Sequence, residues 1–141
     1  MLYKTEDKPD LALLIALSRS TQAVHRRSAV IFKESDMTLA QFAVLEALYH
    51  KGDMTIHQII ESVLSTSGNM TVIINNLEKE NLVQRHANPS DKRSFLIAIT
   101  EKGREKIATT FPKHLQDLKK CFSVYTENEK EQLIRLLRKI K

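Results

Sequence analysis

The sequence predicts a mainly α-helical protein with one small β-hairpin, folded as a single domain of 141 residues. Three observations support this prediction. Apolar side chains recur at alternating spacings of three and four along several long stretches, which is the period of an amphipathic helix. Glycine and proline number only three each, so these stretches are rarely interrupted. Residues 82–99 instead form two short runs rich in branched side chains, joined by turn-forming residues.

The first two helices are predicted from uninterrupted length and from a capping signal. One helix runs from Asp10 to about Glu34, a stretch without glycine or proline. A second helix follows Thr38, because Thr38 and Gln41 have the spacing of a capping box. In a capping box each side chain accepts a hydrogen bond from the other residue's backbone N–H. The Lys-Gly-Asp sequence at 51–53 is typical of a helix end.

Two short helices separated by a turn are predicted next. Thr55 and Gln58 repeat the capping box at the start of the third helix. Residues 65–68, Ser-Thr-Ser-Gly, provide a turn and a cap before the fourth helix, and Asn81 is suited to end it. Four apolar residues of the fourth helix have the spacing i, i+3, i+4 and i+7, so they are expected to face inward. These residues are Met70, Ile73, Ile74 and Leu77.

The hairpin follows the fourth helix, with strands predicted at 82–87 and 95–99. The residues between them, 88–93, read Asn-Pro-Ser-Asp-Lys-Arg, in which Asn-Pro and Ser-Asp favour turns. Two short helices followed by a hairpin with a basic tip are typical of a winged helix-turn-helix. In that fold one helix occupies the DNA major groove, and the hairpin, called the wing, reaches the neighbouring phosphates or minor groove.

Two more helices complete the chain. Thr100 caps a long helix that Pro112 should kink, and Thr126 with Glu129 forms a third capping box before the last helix. The helices at both ends of the chain carry more apolar side chains than a lone winged-helix core needs.

Residues 1–36 and 104–141 are therefore expected to form a helical dimerisation region, and residues 37–103 the winged-helix DNA-binding lobe. Two apolar stripes far apart in sequence can cover each other and their counterparts in a second copy. The alternative is that the terminal helices pack only within one chain.

From about Thr38 to Gly103 the sequence resembles the MarR family of winged-helix transcriptional regulators. The resemblance is strongest at the hairpin tip, Asp91–Arg93, and in the segment Leu96–Gly103 that follows. The family pattern is Asp-x-Arg, a strand, and then Leu-Thr-x-x-Gly; here Ile99 replaces the leucine. The segments EALYHKGD, TSGNMT and TFPKH resemble a Gram-positive branch in which some members respond to quinones and phenolic compounds.

The resemblance implies an obligate homodimer with an interface built from the first, fifth and sixth helices. It also implies that the protein binds a DNA operator and that a small molecule or an oxidant releases it from the operator. Repression is the commoner mode of action in the family, so a repressor is expected.

The fourth helix is the predicted reader of base sequence. With its apolar side turned inward, the geometry of about 100° per residue leaves a polar side for DNA. Asparagine can pair with adenine through two hydrogen bonds, and threonine or valine methyl groups suit the thymine methyl, so an A·T-rich half-site is expected. Hydroxyls and free amides at the helix start suit a phosphate. The predicted contacts are Ser65, Thr66, Ser67, Gly68, Asn69, Thr71, Val72, Asn75, Asn76 and Lys79.

The wing is the predicted second contact. Arg93 is expected to enter the minor groove, where A·T-rich narrowing concentrates negative potential. Asp91 is expected to orient Arg93 or to brace the turn, as the family resemblance also implies. Lys92, Arg85 and His86 are candidates for phosphate contacts. The alternative for both the helix and the wing is an ordinary solvated polar surface.

Effectors in the family often lie between the dimerisation helices and the winged lobe. The residues expected in or near that region, where they would suit an anionic or phenolic ring, are His25, Arg26, Arg27, Phe32 and Tyr49. The alternative is that several of them belong to the core or to the solvated surface. Cys121 is a candidate redox residue because two lysines precede it and positive charge favours the reactive thiolate. Its alternative is a small buried hydrophobic residue.

Several classes of protein are not expected. A single cysteine excludes an internal disulfide and a multi-cysteine metal site. The five histidines lack metal-ligand spacing, and there is no glycine-rich phosphate loop or nucleophile elbow, so neither an enzyme nor a cofactor is expected. The charged N-terminus and the shortness of the longest apolar run, 11–17, indicate a cytoplasmic protein without a membrane partner.

The net charge of +5 favours a polyanion such as double-stranded DNA as partner. The alternatives to a sequence-specific regulator are a winged-helix module for protein contacts and a nonspecific architectural DNA-binding factor.

Overall fold

The structure is a computed structural model that describes residues 1–63 and 69–140. This part of the chain contains six α-helices and one antiparallel hairpin. The helices are α1 (Lys8–Lys33), α2 (Leu39–Lys51), α3 (Ile56–Ser62), α4 (Met70–Lys79), α5 (Glu101–Phe122) and α6 (Glu127–Leu137). The strands are β1 (Val83–Ala87) and β2 (Phe95–Ile99). The predicted fold class, a winged helix-turn-helix with additional terminal helices, is confirmed.

The helix starts follow the capping signals in the sequence. At the start of α2, the Thr38 hydroxyl accepts a hydrogen bond from the Gln41 N–H at 3.1 Å, and the Gln41 side chain accepts one from the Thr38 N–H at 3.0 Å. The same reciprocal pair begins α3 and α6. Because the first amides of a helix have no partner within it, each pair satisfies donors that would otherwise need water. All three predicted capping boxes are confirmed.

The core fixes which side of α4 faces solvent. Ile74 and Leu77 are fully buried, and Met70 and Ile73 are partly buried against the same cluster. The inward orientation predicted for these four residues is confirmed. The other fully buried large apolar side chains come from α1, α2, α3, α5 and the hairpin with its flanking residue. They include Phe32, Leu45, Leu48, Ile59, Leu82, Ile97 and Ile107.

A close approach fixes the base of the hairpin against α5. A Cβ atom on Gly103 would lie 2.3 Å from the carbonyl oxygen of Leu82 and 2.7 Å from a side-chain carbon of Ile99, so only glycine fits there. Beside it, the Thr100 hydroxyl donates to the carbonyl oxygen of Asn81 at 2.6 Å. Gly103 therefore allows the wing to pack directly on the first turn of α5.

A backbone bridge joins the hairpin to the segment between α2 and α3. The Met54 N–H donates to the Ile97 carbonyl at 3.1 Å, and the Ile97 N–H donates to the Met54 carbonyl at 2.7 Å. This bridge was not predicted from the sequence, since a single residue carries no strand pattern. It attaches β2 of the wing to the segment between α2 and α3.

The terminal helices leave apolar side chains exposed. In the part of the chain that the structure describes, α6 has no buried residue, and only Ser28 and Phe32 of α1 are buried. Packing within one chain therefore does not cover these helices. The exposed large apolar residues include Leu11, Leu13, Leu14, Ile15, Leu133, Ile134, Leu136 and Leu137. None of the helices in residues 1–63 and 69–140 has the length and apolar character needed to cross a membrane.

Candidate nucleic-acid interface

We call α4 the recognition helix. Its outward side is polar except for one valine. Asn69 caps the helix, with its side-chain oxygen accepting a hydrogen bond from the Thr71 N–H at 3.0 Å. Val72 is 50% exposed, so its methyl groups are accessible on this side of the helix. Thr71, Asn75, Asn76 and Lys79 are also exposed. The predicted contacts Ser65, Thr66, Ser67 and Gly68 lie outside the described residues.

The tip of the wing is held by hydrogen bonds among its own residues. The Arg93 N–H donates to a carboxylate oxygen of Asp91 at 2.9 Å, and the Arg93 guanidinium lies 3.5 Å from the same oxygen. Both roles expected for Asp91, orienting Arg93 and bracing the turn, are consistent with these contacts. The side-chain oxygen of Asn88 accepts a hydrogen bond from the Ser90 N–H, and its side-chain nitrogen donates one to the Ser94 hydroxyl oxygen across the turn. As a result Arg93 projects into solvent, with its side chain 93% exposed.

Arg85 connects the wing to the recognition helix. It lies on β1, and its guanidinium donates to the side-chain oxygen of Asn75 and, at 3.4 Å, to the carboxylate of Glu78. From the sequence, Arg85 was expected to contact phosphate, and Glu78 was not identified. The spacing of Asn75 and Glu78 places them on one side of α4, but no local pattern links them to a residue of β1. Lys92 and His86, the other two candidates for phosphate contact, are exposed.

A second cluster of functional interest lies where α1, α2 and α5 meet. The rings of Phe32 and Phe42 stack at 4.0 Å, and the His114 ring lies 4.9 Å from the first and 5.3 Å from the second. The Nδ1 atom of His114 is buried and has no hydrogen-bond partner among the described residues. Burial lowers the pKa of His114, and the nearby carboxylates of Glu46 and Asp117 offset part of that effect.

The predicted effector residues are divided among several environments. Arg27 pairs with Asp117 through two hydrogen bonds of 2.7 and 3.2 Å, and these bonds lower the pKa of Asp117. Phe32 is buried in the core. Tyr49 is exposed, and the Arg104 guanidinium lies 5.8 Å from its ring centre. The remaining two candidates, His25 and Arg26, are exposed on α1.

Of these five residues, Arg27 and Phe32 contact side chains of α5 close to His114. His114 was not among the residues predicted from the sequence, although the TFPKH segment contains it. Cys121, the candidate redox residue, lies four positions after Asp117 on α5 and is half-buried. No group of three His, Cys, Asp or Glu side chains in the described ranges is placed to hold a metal ion.

A polar recognition helix beside an exposed basic wing defines a class of protein, the winged-helix DNA-binding regulators. The MarR family model matches residues 37–95. The chain is 35% identical over 130 residues to the HTH-type transcriptional regulator MhqR of Bacillus subtilis (strain 168). That similarity covers 92% of this chain and 90% of the relative.

Solved structures share the fold. A crystal structure of a MarR mutant from E. coli complexed with operator DNA has a TM-score of 0.86 at 24% identity and covers 98% of this chain and 99% of that one. An organohalide-sensing transcriptional regulator in its 2,4-dichlorophenol-bound form has a TM-score of 0.83 at 18% identity, covering 99% and 85%.

The chain belongs to the MarR family and is a DNA-binding transcriptional regulator. Its relatives are regulators and not enzymes, so the prediction that it is not an enzyme is confirmed.

The lowered pKa of His114 predicts that acidification destabilises the fold. Below the ordinary histidine value of about 6.5, the unfolded chain binds a proton that the buried imidazole binds less readily, so the free energy of unfolding falls as the pH falls. The thermal midpoint should therefore decrease between about pH 7.5 and 5.5. Replacing this histidine, as His114→Gln, should flatten that decrease.

The exposed His86 provides the matched control, because His86→Gln should keep the pH dependence of the unmodified protein. Asp117 does not complicate the measurement: its pKa is lowered, so its contribution is lost only at pH values below the ordinary aspartate range. An identical decrease in the midpoint for His114→Gln and the unmodified protein would show that His114 is not the responsible group.

Proposed function

We propose that the protein is a repressor that binds a pseudo-palindromic, A·T-rich operator as a homodimer and is released by a small phenolic or quinone-like effector. One observation carries the proposal: the recognition helix exposes Val72 and Asn75, and Arg93 projects from the wing beside it. Asparagine and a branched methyl side chain suit adenine and thymine edges in the major groove. An arginine suits the narrow minor groove of A·T-rich DNA. As a regulator of transcription it would act in the cytoplasm, where bacterial DNA lies.

The contacts proposed for the two elements differ in kind. Asn75, Asn76, Thr71 and Val72 would read base edges, which carry sequence information. The cap residue Asn69, the basic residues Lys79, Lys92 and His86, and the hydroxyl-rich segment 65–68 would contact phosphates, which fix the register on the duplex. Their exposure supports these roles for the residues that the structure describes.

Removing the wing arginine should weaken operator binding selectively. The Arg93→Ala variant should lose about 1–3 kcal/mol of binding free energy on the operator, because its side chain would sit in the minor groove. The Lys92→Ala variant should weaken binding to all sequences similarly and reduce the slope of log affinity against log salt by about one. Fluorescence anisotropy with labelled duplexes at several salt concentrations measures both effects. Unchanged operator affinity in Arg93→Ala would contradict the wing assignment.

The same binding assay separates the alternatives. At about 150 mM salt, a sequence-specific regulator should prefer its operator over unrelated DNA by roughly a thousandfold or more. An architectural factor would bind both alike, and a module for protein contacts would bind neither.

The dimer proposal is supported by the uncovered apolar side chains of α1 and α6. Isolated exposed apolar residues are common on protein surfaces, whereas contiguous stripes indicate a binding surface. A second copy of the chain would supply a matching stripe, and a two-fold dimer would bind an operator whose half-sites are roughly one helical turn apart. The dimerisation region would comprise 1–36 and 104–141, with 37–103 as the DNA-binding lobe.

A charge placed in the apolar stripe should dissociate the dimer. The Leu133→Glu variant would bury an unpaired carboxylate at the interface, and its measured mass should fall from twice 16.2 kDa to a single chain. Arg135→Glu is the matched control, since it introduces the same group on the opposite side of α6 and should leave the dimer intact. Sedimentation equilibrium measures both masses. A single-chain mass for the unmodified protein would refute the dimer.

The effector proposal is supported by the surroundings of His114. Its buried Nδ1 atom lacks a partner among the described residues and lies beside two phenylalanine rings, with the Arg27–Asp117 pair nearby. A phenol combines an apolar ring with a hydroxyl donor, so it matches both features. The structural neighbour that binds 2,4-dichlorophenol shares this fold, which makes that compound a suitable first probe.

A phenolic effector should stabilise the free protein and release DNA. At about 100 times its dissociation constant, 2,4-dichlorophenol should add roughly 2.7 kcal/mol to the free energy of unfolding, observed as a higher thermal midpoint. His114→Phe keeps an aromatic ring but lacks the acceptor, so its response should be much smaller. A panel of phenols, salicylate and quinones that changes neither the midpoint nor DNA binding would contradict the proposal. A quinone response lost in Cys121→Ser would instead indicate thiol chemistry.

A further inference from the structure

We propose that Arg85 determines the base preference of the recognition helix by fixing the orientation of the Asn75 side-chain amide. With its oxygen held by Arg85, Asn75 directs its Nδ2 donor to the major groove. This inference rests on the proposed role of α4 as the reader of base sequence. It assigns Arg85 to positioning rather than to phosphate contact.

The chemistry of the pair settles which end of the amide faces Arg85. An asparagine side chain has an acceptor oxygen and a donor nitrogen that can exchange places by rotation about the terminal bond. The arginine guanidinium has only donors. A contact between the two groups therefore requires the oxygen of Asn75 to face Arg85, as the structure has it. The rotation that would turn the oxygen to the groove places two donors against each other.

Arg85 is itself held in place. Its side chain is 26% exposed, and its Nε atom lies 3.4 Å from the carboxylate of Glu78, on the same helix as Asn75. Arg85 lies in the middle of β1, directly opposite Ile97 in the antiparallel register. The backbone of Arg85 thus belongs to strand β1, and its guanidinium forms an ion pair with Glu78 of the recognition helix. A guanidinium held in this way restricts rotation of the Asn75 amide more than solvent would.

A fixed donor has a definite consequence for base recognition. In the major groove, adenine and guanine offer the N7 acceptor and thymine offers the O4 acceptor, whereas cytosine offers only its N4 donor. A cytosine opposite the Nδ2 donor of Asn75 leaves two donors facing each other without partners, which is costly. The protein should therefore reject cytosine at the position that Asn75 contacts. Without Arg85, the amide can rotate and accept a hydrogen bond from cytosine.

The test compares base preferences at one position of the binding site. The unmodified protein, Arg85→Met and Asn75→Ala are each used to select duplexes from a pool with a randomised central segment. The base position that Asn75 contacts is identified as the one at which the Asn75→Ala variant no longer shows the base preference of the unmodified protein. Affinities are then measured on four duplexes that differ only at that position. Methionine keeps the packing of the arginine stem but has no donor.

The unmodified protein should bind the cytosine duplex about ten- to a hundredfold more weakly than the best duplex. In Arg85→Met, the affinities for the best duplex and the cytosine duplex should differ by only a few-fold. Adding Asn75→Ala to Arg85→Met should not change the base preference at this position further. Glu78→Ala, which releases the anchor of Arg85, should reduce the ratio in the same direction. Arg93→Ala is the control: it should weaken binding while keeping the rejection of cytosine.

Circular dichroism and the thermal midpoint establish that each variant is folded, and Glu78→Ala answers the question if Arg85→Met does not fold. A cytosine ratio unchanged in both variants overturns the inference. So does an equal loss of affinity for all four duplexes, which would indicate a phosphate contact. If the unmodified protein selects no sequence, the proposed function fails and this inference fails with it. If it selects one but Arg85 has no effect on preference, only this inference fails.

Discussion

The candidate DNA-binding surface depends on the burial of Ile74 and Leu77 in α4. Each is fully buried, and burying a side chain of this size contributes roughly 1.5–3 kcal/mol. Because both lie on one side of a regular helix, their position decides which side chains the opposite side presents. The exposure of Val72 and Asn75 follows from this constraint. A core contact thus sets the chemistry of the surface.

The position of the wing is likewise set by contacts with other parts of the chain, and several of these contacts are independent of one another. Gly103 lets the first turn of α5 approach the base of the hairpin, Met54 pairs with β2, and Arg85 reaches the recognition helix from β1. Together these contacts orient the recognition helix and the wing relative to each other. The tip needs no such support because Asp91 orders it locally. The region around His114 lies elsewhere, between α1, α2 and α5.

Features governed by neighbouring residues could be predicted from the sequence. The capping boxes at Thr38, Thr55 and Thr126 were predicted because each requires only a threonine and a partner three positions later. The hairpin was predicted to within one residue because branched runs and turn residues alternate along 82–99. The orientation of α4 followed from its apolar spacing. In each case, the pattern that allows the prediction lies within a short stretch of sequence.

Features that depend on contacts between distant segments were missed. The partners of Arg85, the bridge at Met54 and the unpartnered nitrogen of His114 arise from packing between elements, which spacing along the chain does not encode. Arg27 was selected for its charge, yet its pairing with Asp117 on α5 had no local signal.

The bridge between Met54 and Ile97 also bears on self-association. Isolated hairpins present rows of free amides and carbonyls that can recruit strands from other molecules. At the centre of β2, both backbone groups of Ile97 are already engaged by Met54, while β1 pairs with the other edge. The β2 flank of the wing is thereby closed to foreign strands at Ile97. The outer edge of β1 has no strand partner among the described residues, so it is the edge of the wing at which a strand from another molecule could add.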